Sequence, residues 1–204
     1  MKKALFILLS VAVVAAFIYT DIASTAHDFS TASGTWNTGG EICQPCHTPH
    51  NGGIDGITNA VVPLWNHQVT APGPFTPYTS PTFSQAPGSD PSGISLLCLS
   101  CHDGTIGLDA FGTTASSTNY ITGTALLDTD LTNDHPISFT YDDAATADTE
   151  IITANATING WLQGGAGGSM ECSSCHDVHG VTGVSNLLRT TNAASALCLT
   201  CHDK

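Results

Sequence analysis

Positive charge is what this chain of 204 residues has least of. Lys and Arg together number 4 against 17 Asp and Glu, for a formal net charge of −13. A nucleic-acid or anionic-membrane surface needs clustered Lys and Arg, so partners of that kind are excluded. Charge of either sign is scarce too, at 10 % of residues where about 25 % is usual, so Ser, Thr, Asn and Gly must solvate the surface. Aromatic residues make up 7 %, beside 20 Gly and 10 Pro. That leaves little side-chain volume for a core. Something other than Leu, Ile and Phe has to fill the interior.

What is present begins at the N-terminus. Lys2 and Lys3 precede a largely apolar run of sixteen residues, Ala4 to Tyr19, followed by Ser24-Thr25-Ala26. This is the layout of a secretory signal peptide, and the run is shorter than the roughly 20 residues that span a bilayer. The reading predicts cleavage of residues 1–26 and an exported single domain over 27–204 with no stable membrane insertion. The mature charge becomes −14, from Arg189 and Lys204 against 16 acidic residues.

Eight cysteines in an exported chain would ordinarily suggest a disulfide framework. Their spacing suggests something else. They fall as Cys43-Gln-Pro-Cys46-His47, Cys98-Leu-Ser-Cys101-His102, Cys172-Ser-Ser-Cys175-His176 and Cys198-Leu-Thr-Cys201-His202, with none left over. C-x-x-C-H is the attachment signature of c-type haem: two thiols on one turn form thioethers, and the adjacent His reaches the iron. Zinc ribbons need no His at the fifth position, and a thioredoxin-like pair needs a βαβ context that is missing. With 9 His among 204 residues, chance would place one after all four pairs about four times in a million. The sequence therefore predicts four covalent haem c groups. Cys43, Cys46, Cys98, Cys101, Cys172, Cys175, Cys198 and Cys201 attach them, and His47, His102, His176 and His202 are the proximal ligands.

Four proximal His leave His27, His50, His67, His135 and His179 as candidate distal ligands. Methionine is the other common axial ligand, and Met170 is the only one after residue 26. Bis-His ligation at all four irons is the economical expectation, with one His spare. His50 and His179 each lie three residues past a proximal His and so point away from their own haem's distal face. His67 and His135 sit in long intermotif segments, and His27 stands at the mature N-terminus.

Dividing the 178 mature residues by four leaves roughly 44 per haem, below the 50 or so of an independent domain, so the haems share one core. The first cysteines of successive motifs are 55, 74 and 26 residues apart, which predicts a close pair at the third and fourth. Leu96-Leu97-Cys98 and Leu197-Cys198 suggest short helices entering two motifs. Ala71 to Pro74 and Gly164 to Gly168 are loop signals, and Ile137 to Tyr141 and Glu150 to Thr153 read as short strands. Asp142 to Glu150 reads as a solvated loop, and Asn155-Ala-Thr157 as an incidental glycosylation triplet. The expected fold is mostly coil with short helices at the haem motifs and minimal β.

With these residues in view, the chain resembles the multihaem c-type cytochromes with doubled C-x-x-C-H motifs. Within them it resembles the tetrahaem cytochromes that polymerise into extracellular nanowires. The resemblance rests on His27-Asp-Phe29, Cys43 to Asn51, Pro63 to His67, Leu96 to Gly104, His135 to Tyr141, Cys172 to Gly180 and the last motif ending at His202. It implies a polypeptide wrapped around a continuous stack of four haems, alternating parallel and T-shaped packing. It also implies that one distal His crosses between subunits: His50, donated to the haem of Cys198 and Cys201 in the next copy. Such a head-to-tail contact propagates into an open filament.

The function expected is electron transfer along the haems, with no catalytic residue, in an extracellular or cell-surface filament. Partners would be further copies of the chain, upstream redox proteins and extracellular electron acceptors. The alternative is a monomeric periplasmic shuttle. A multihaem reductase is more remote, because nine His for eight axial positions make an open iron unnecessary.

Overall fold

The computed structural model describes residues 22–32, 35–48, 64–71, 73–81, 83, 90–115, 118–180 and 184–203. The apolar run of residues 4–19, read above as a signal peptide, lies outside these residues, as does His50. Among the described residues, no helix is long and apolar enough to cross a membrane.

Regular structure is sparse. Among the described residues, four helices are α1 (Gly93–His102), α2 (Tyr141–Ala147), α3 (Ala156–Trp161) and α4 (Cys172–Cys175), with one 3-10 turn before α1, one between α1 and α2 and three after α4. Two strands of two residues each, β1 (Phe139–Thr140) and β2 (Ser169–Met170), pair antiparallel with Phe139 opposite Met170. α1 forms where Leu96, Leu97 and Leu99 bury together with Ser95 and Ser100. It ends as the Asp103 and Gly104 N–H groups bond back to Leu99 O and Cys101 O. Gly104 sits at φ +72, and a Cβ there would lie 2.6 Å from Leu126 Cδ1.

Two expectations change. Asp142 to Glu150 is not simply a loop: α2 occupies its first half, with Asp142 and Asp143 in the first turn, where acidic side chains complement the helix dipole. Glu150 to Thr153 forms no strand; Ile151 instead makes an isolated bridge to His202. Asn155 caps α3, its side chain accepting from the N–H groups of Thr157 and Ile158. The glycine turn after α3 is obligatory at Gly168, where a Cβ would lie 2.2 Å from Gln163 O.

The apolar core is two small clusters. Phe75, Leu96, Leu99 and Leu131 form one; Tyr141, Ile158, Leu162 and Met170 form the other. Between them, Ser95 Oγ accepts from Cys172 N–H and donates to the buried carboxylate of Glu171, which also accepts from Ser138 Oγ. This polar joint ties the second C-x-x-C-H motif to the third. Burial raises the Glu171 pKa, offset in part by the Ser95 and Ser138 hydroxyls.

Candidate functional site

Each motif places its first cysteine and its histidine on one helical turn. His47 N–H bonds to Cys43 O at 2.8 Å, His176 to Cys172 O at 3.0 Å and His202 to Cys198 O at 3.0 Å, while His102 closes α1. The turns are too short to hold themselves. Three of them are held by one repeated clasp. Thr48 N–H donates to Leu64 O while Asn66 N–H donates to Cys46 O. Asp177 and Arg189 do the same with Leu187 and Cys175, and Asp203 and Ile152 with Glu150 and Cys201. Each clasp is an antiparallel bridge centred on a proximal His, opposite Trp65, Leu188 or Ile151. The second motif, built on a longer helix, has a single bond from Leu127 N–H to His102 O.

The imidazoles are paired. His27 faces His102 with ring centroids 6.2 Å apart, His179 faces His47 at 6.3 Å and His135 faces His202 at 6.3 Å. A metal–imidazole bond of about 2 Å, with about 1.1 Å more from nitrogen to ring centre, puts two trans imidazoles about 6.2 Å apart. Three proximal histidines thus have a distal candidate at the separation that one shared iron requires. The fourth, His176, has no second imidazole opposite it among the described residues. His135 stands where the resemblance put His50 of a neighbouring copy.

His67 is the candidate that the structure pairs with no proximal ring. It is buried, with Nδ1 2.7 Å from Gln68 O and Nε2 3.1 Å from Gly107 O. Both nitrogens lie against main-chain carbonyls, only one of which the neutral ring can donate to; Nε2 is also 3.5 Å from Cys101 Sγ, and burial lowers the pKa. At three other histidines, Nδ1 is engaged by a backbone carbonyl. Nδ1–H donates from His102 to Ala125 O at 2.7 Å, from His135 to Pro136 O at 2.8 Å and from His176 to Asn186 O at 3.1 Å. Such outer bonds fix the tautomer and orientation of a metal-ligating histidine. His27 is pushed down to about 4, first by burial and then by His102, with the Val178 carbonyl acting the other way. It is therefore neutral at pH 7, the form that binds iron.

All eight cysteines are free of disulfides, and among the described residues no three His, Cys, Asp or Glu side chains converge on a common metal site. The sulfurs follow the motifs in order, each pair close enough to interact: Cys46 with Cys101, Cys98 with Cys172, and Cys175 with Cys201. The third and fourth motifs are neighbours, as their short spacing predicts. Burial pushes the Cys46 thiol up to about 11, Cys101 to about 12 and Cys175 to about 11. Cys172 alone is lowered, by the hydrogen bond from the Cys98 thiol, with burial acting the other way.

The fourth motif opens onto a cleft of about 270 Å³, just under the range of about 300–1,000 Å³ usual for cofactor pockets. His135, His202 and Cys201 line it together with Tyr78, Phe83, Phe139, Tyr141 and Met170. Two facing imidazoles, one motif cysteine and apolar walls fit a haem c site, whose second thioether would come from Cys198 outside the lining. When bound, the haem iron supplies one-electron redox chemistry. Cys201 would tether the group, and His135 and His202 would hold it, His135 being oriented by its Nδ1 bond to Pro136 O.

Sequence reasoning missed the clasp partners Trp65, Leu188 and Ile151, and the carbonyls of Ala125, Pro136 and Asn186. Those contacts run through the backbone and leave no side-chain signature. Residues 165–204 match the family described as the doubled CXXCH motif. That match spans the third and fourth motifs, and indicates covalently bound c-type haem in a multihaem cytochrome serving electron transfer. A comparison with curated proteins finds no match.

Proposed function

We propose that the chain is a four-haem electron conductor, exported and assembled head to tail into an extracellular filament. The observation that carries this reading is the set of three imidazole pairs at 6.2–6.3 Å, which supplies both ligands to three irons within one chain. Conduction needs closely spaced haems and no substrate chemistry. The cysteine neighbours linking each motif to the next support a continuous row. Electron exchange along it moves no proton and calls on no catalytic residue.

The junction between copies is assigned to the third motif. His176 is solvent-exposed, and its Nδ1 is already bonded to Asn186 O. His50 of a neighbouring copy is its distal ligand, in place of the last haem, where His135 serves. A ligand passed in one direction from copy to copy makes a heterologous contact, and such contacts build filaments. His50→Ala is expected to abolish filaments in electron micrographs while the haem-to-protein ratio holds and one haem becomes high-spin. Intact filaments of the variant would overturn the reading. So would wild-type protein that stays monomeric with every iron low-spin, as a shuttle does.

A further inference from the structure

The repeated clasp provides an internal comparison. The residue donating its N–H to the second cysteine is Asn66 in the first motif, Arg189 in the third and Ile152 in the fourth. One backbone position thus carries an amide, a cation and an aliphatic chain. Arg189 also turns its side chain back onto the motif, Nε–H donating to Ser173 O at 2.6 Å. Ser173 lies between the two attachment cysteines. Arg189 is the only arginine of the chain and the only Lys or Arg among the described residues. The one Lys or Arg among the described residues is therefore bound twice to one C-x-x-C-H motif.

That motif also carries carboxylates on both sides. Glu171 caps the turn before Cys172, and Asp177 follows His176. Negative charge near a haem favours its oxidised state and lowers its potential. Asp103 and Asp203 hold the place of Asp177 at the second and fourth motifs, which the sulfur contacts make the third motif's neighbours. Uncompensated, the third position, with its extra buried carboxylate, would be the one hardest to reduce.

We propose that Arg189 is a potential-levelling residue. Its permanent charge offsets Glu171 and Asp177, and holds the reduction potential at the third motif close to those at the second and fourth. The exchange it governs is one electron, received from one neighbouring haem and passed to the other, with no bond broken and no proton moved. The proposal rests on haems at the second, third and fourth motifs and not on polymerisation, so it stands or falls independently of filament assembly.

The test is a spectroelectrochemical titration of the mature, haem-loaded protein with Arg189→Gln and Arg189→Lys beside the wild type. Arg189→Gln is expected to lower one midpoint. At the wild-type midpoint, the reduced-to-oxidised ratio of that haem should fall about tenfold. Arg189→Lys keeps the charge and loses the Nε–H bond, and is expected within about twofold of wild type. Unchanged midpoints in Arg189→Gln with all haems attached overturn the proposal. So does a fall in Arg189→Lys as large as in Arg189→Gln, which would assign the effect to the bond with Ser173. If Arg189→Gln does not mature, methylglyoxal on the folded wild type converts the only arginine into an uncharged hydroimidazolone. The same drop is expected there, and its absence overturns the proposal equally.

Discussion

Produced without haem attachment, the chain is expected to show neither a cooperative thermal transition nor the circular dichroism of a folded protein. The longest helix, α1, has ten residues, and isolated helices below about 12–15 residues are marginal in water. Its only strands, among the described residues, are two residues long, and a two-stranded pair is not stable alone. The apolar clusters hold four buried side chains each, in separate parts of the chain. The clasps give three of the proximal turns two backbone bonds each, and the second motif has one. On the proposed reading, porphyrins between the paired imidazoles would supply the missing interior. Calorimetry of haem-loaded and haem-free protein checks this, and a sharp transition in the haem-free chain would count against it. The loaded protein should also keep its fold in strong thiol reductant, because thioethers resist reduction where disulfides do not.

The second large effect is expected at the fourth motif. His135→Ala removes the imidazole 6.3 Å from His202 and opens one axial position in the cleft. One haem in four should give a high-spin ferric signal and bind carbon monoxide rapidly when reduced, whereas the resting wild type does neither. His67→Ala is the control. That side chain is buried on two carbonyls and faces no proximal ring, so its loss should weaken the fold and leave every iron low-spin. Electron paramagnetic resonance of the two variants separates the cases. A fully low-spin His135→Ala protein would show that another residue serves His202.

The sequence revealed the attachment chemistry more fully than the ligand pairing, for a physical reason. Thioethers and a proximal ligand must share one helical turn, so Cys43 to His47 and its three counterparts carry their function in their spacing. Distal ligation is a contact in space: the facing pairs His27–His102, His135–His202 and His47–His179 are 75, 67 and 132 residues apart along the chain. Local pattern cannot choose among five candidates over such separations. The placement of His179 away from its own motif was legible, because three residues past His176 it cannot turn back onto the same haem. The acidic stretch from Asp142 was misread because its charge count suggested solvation, while Tyr141 and Ala144, the residues that anchor α2, are buried beside the cleft. The clasps were illegible altogether, since Asn66, Arg189 and Ile152 share a backbone role and no side-chain property.

The account rests on every cysteine carrying haem, and the intact mass of the mature protein under denaturing conditions tests this most directly. The predicted mass is that of the polypeptide from His27 plus four haem groups, with no free thiol left to alkylate. A mass with fewer haems, with cysteines that alkylate directly or after reduction, would contradict it.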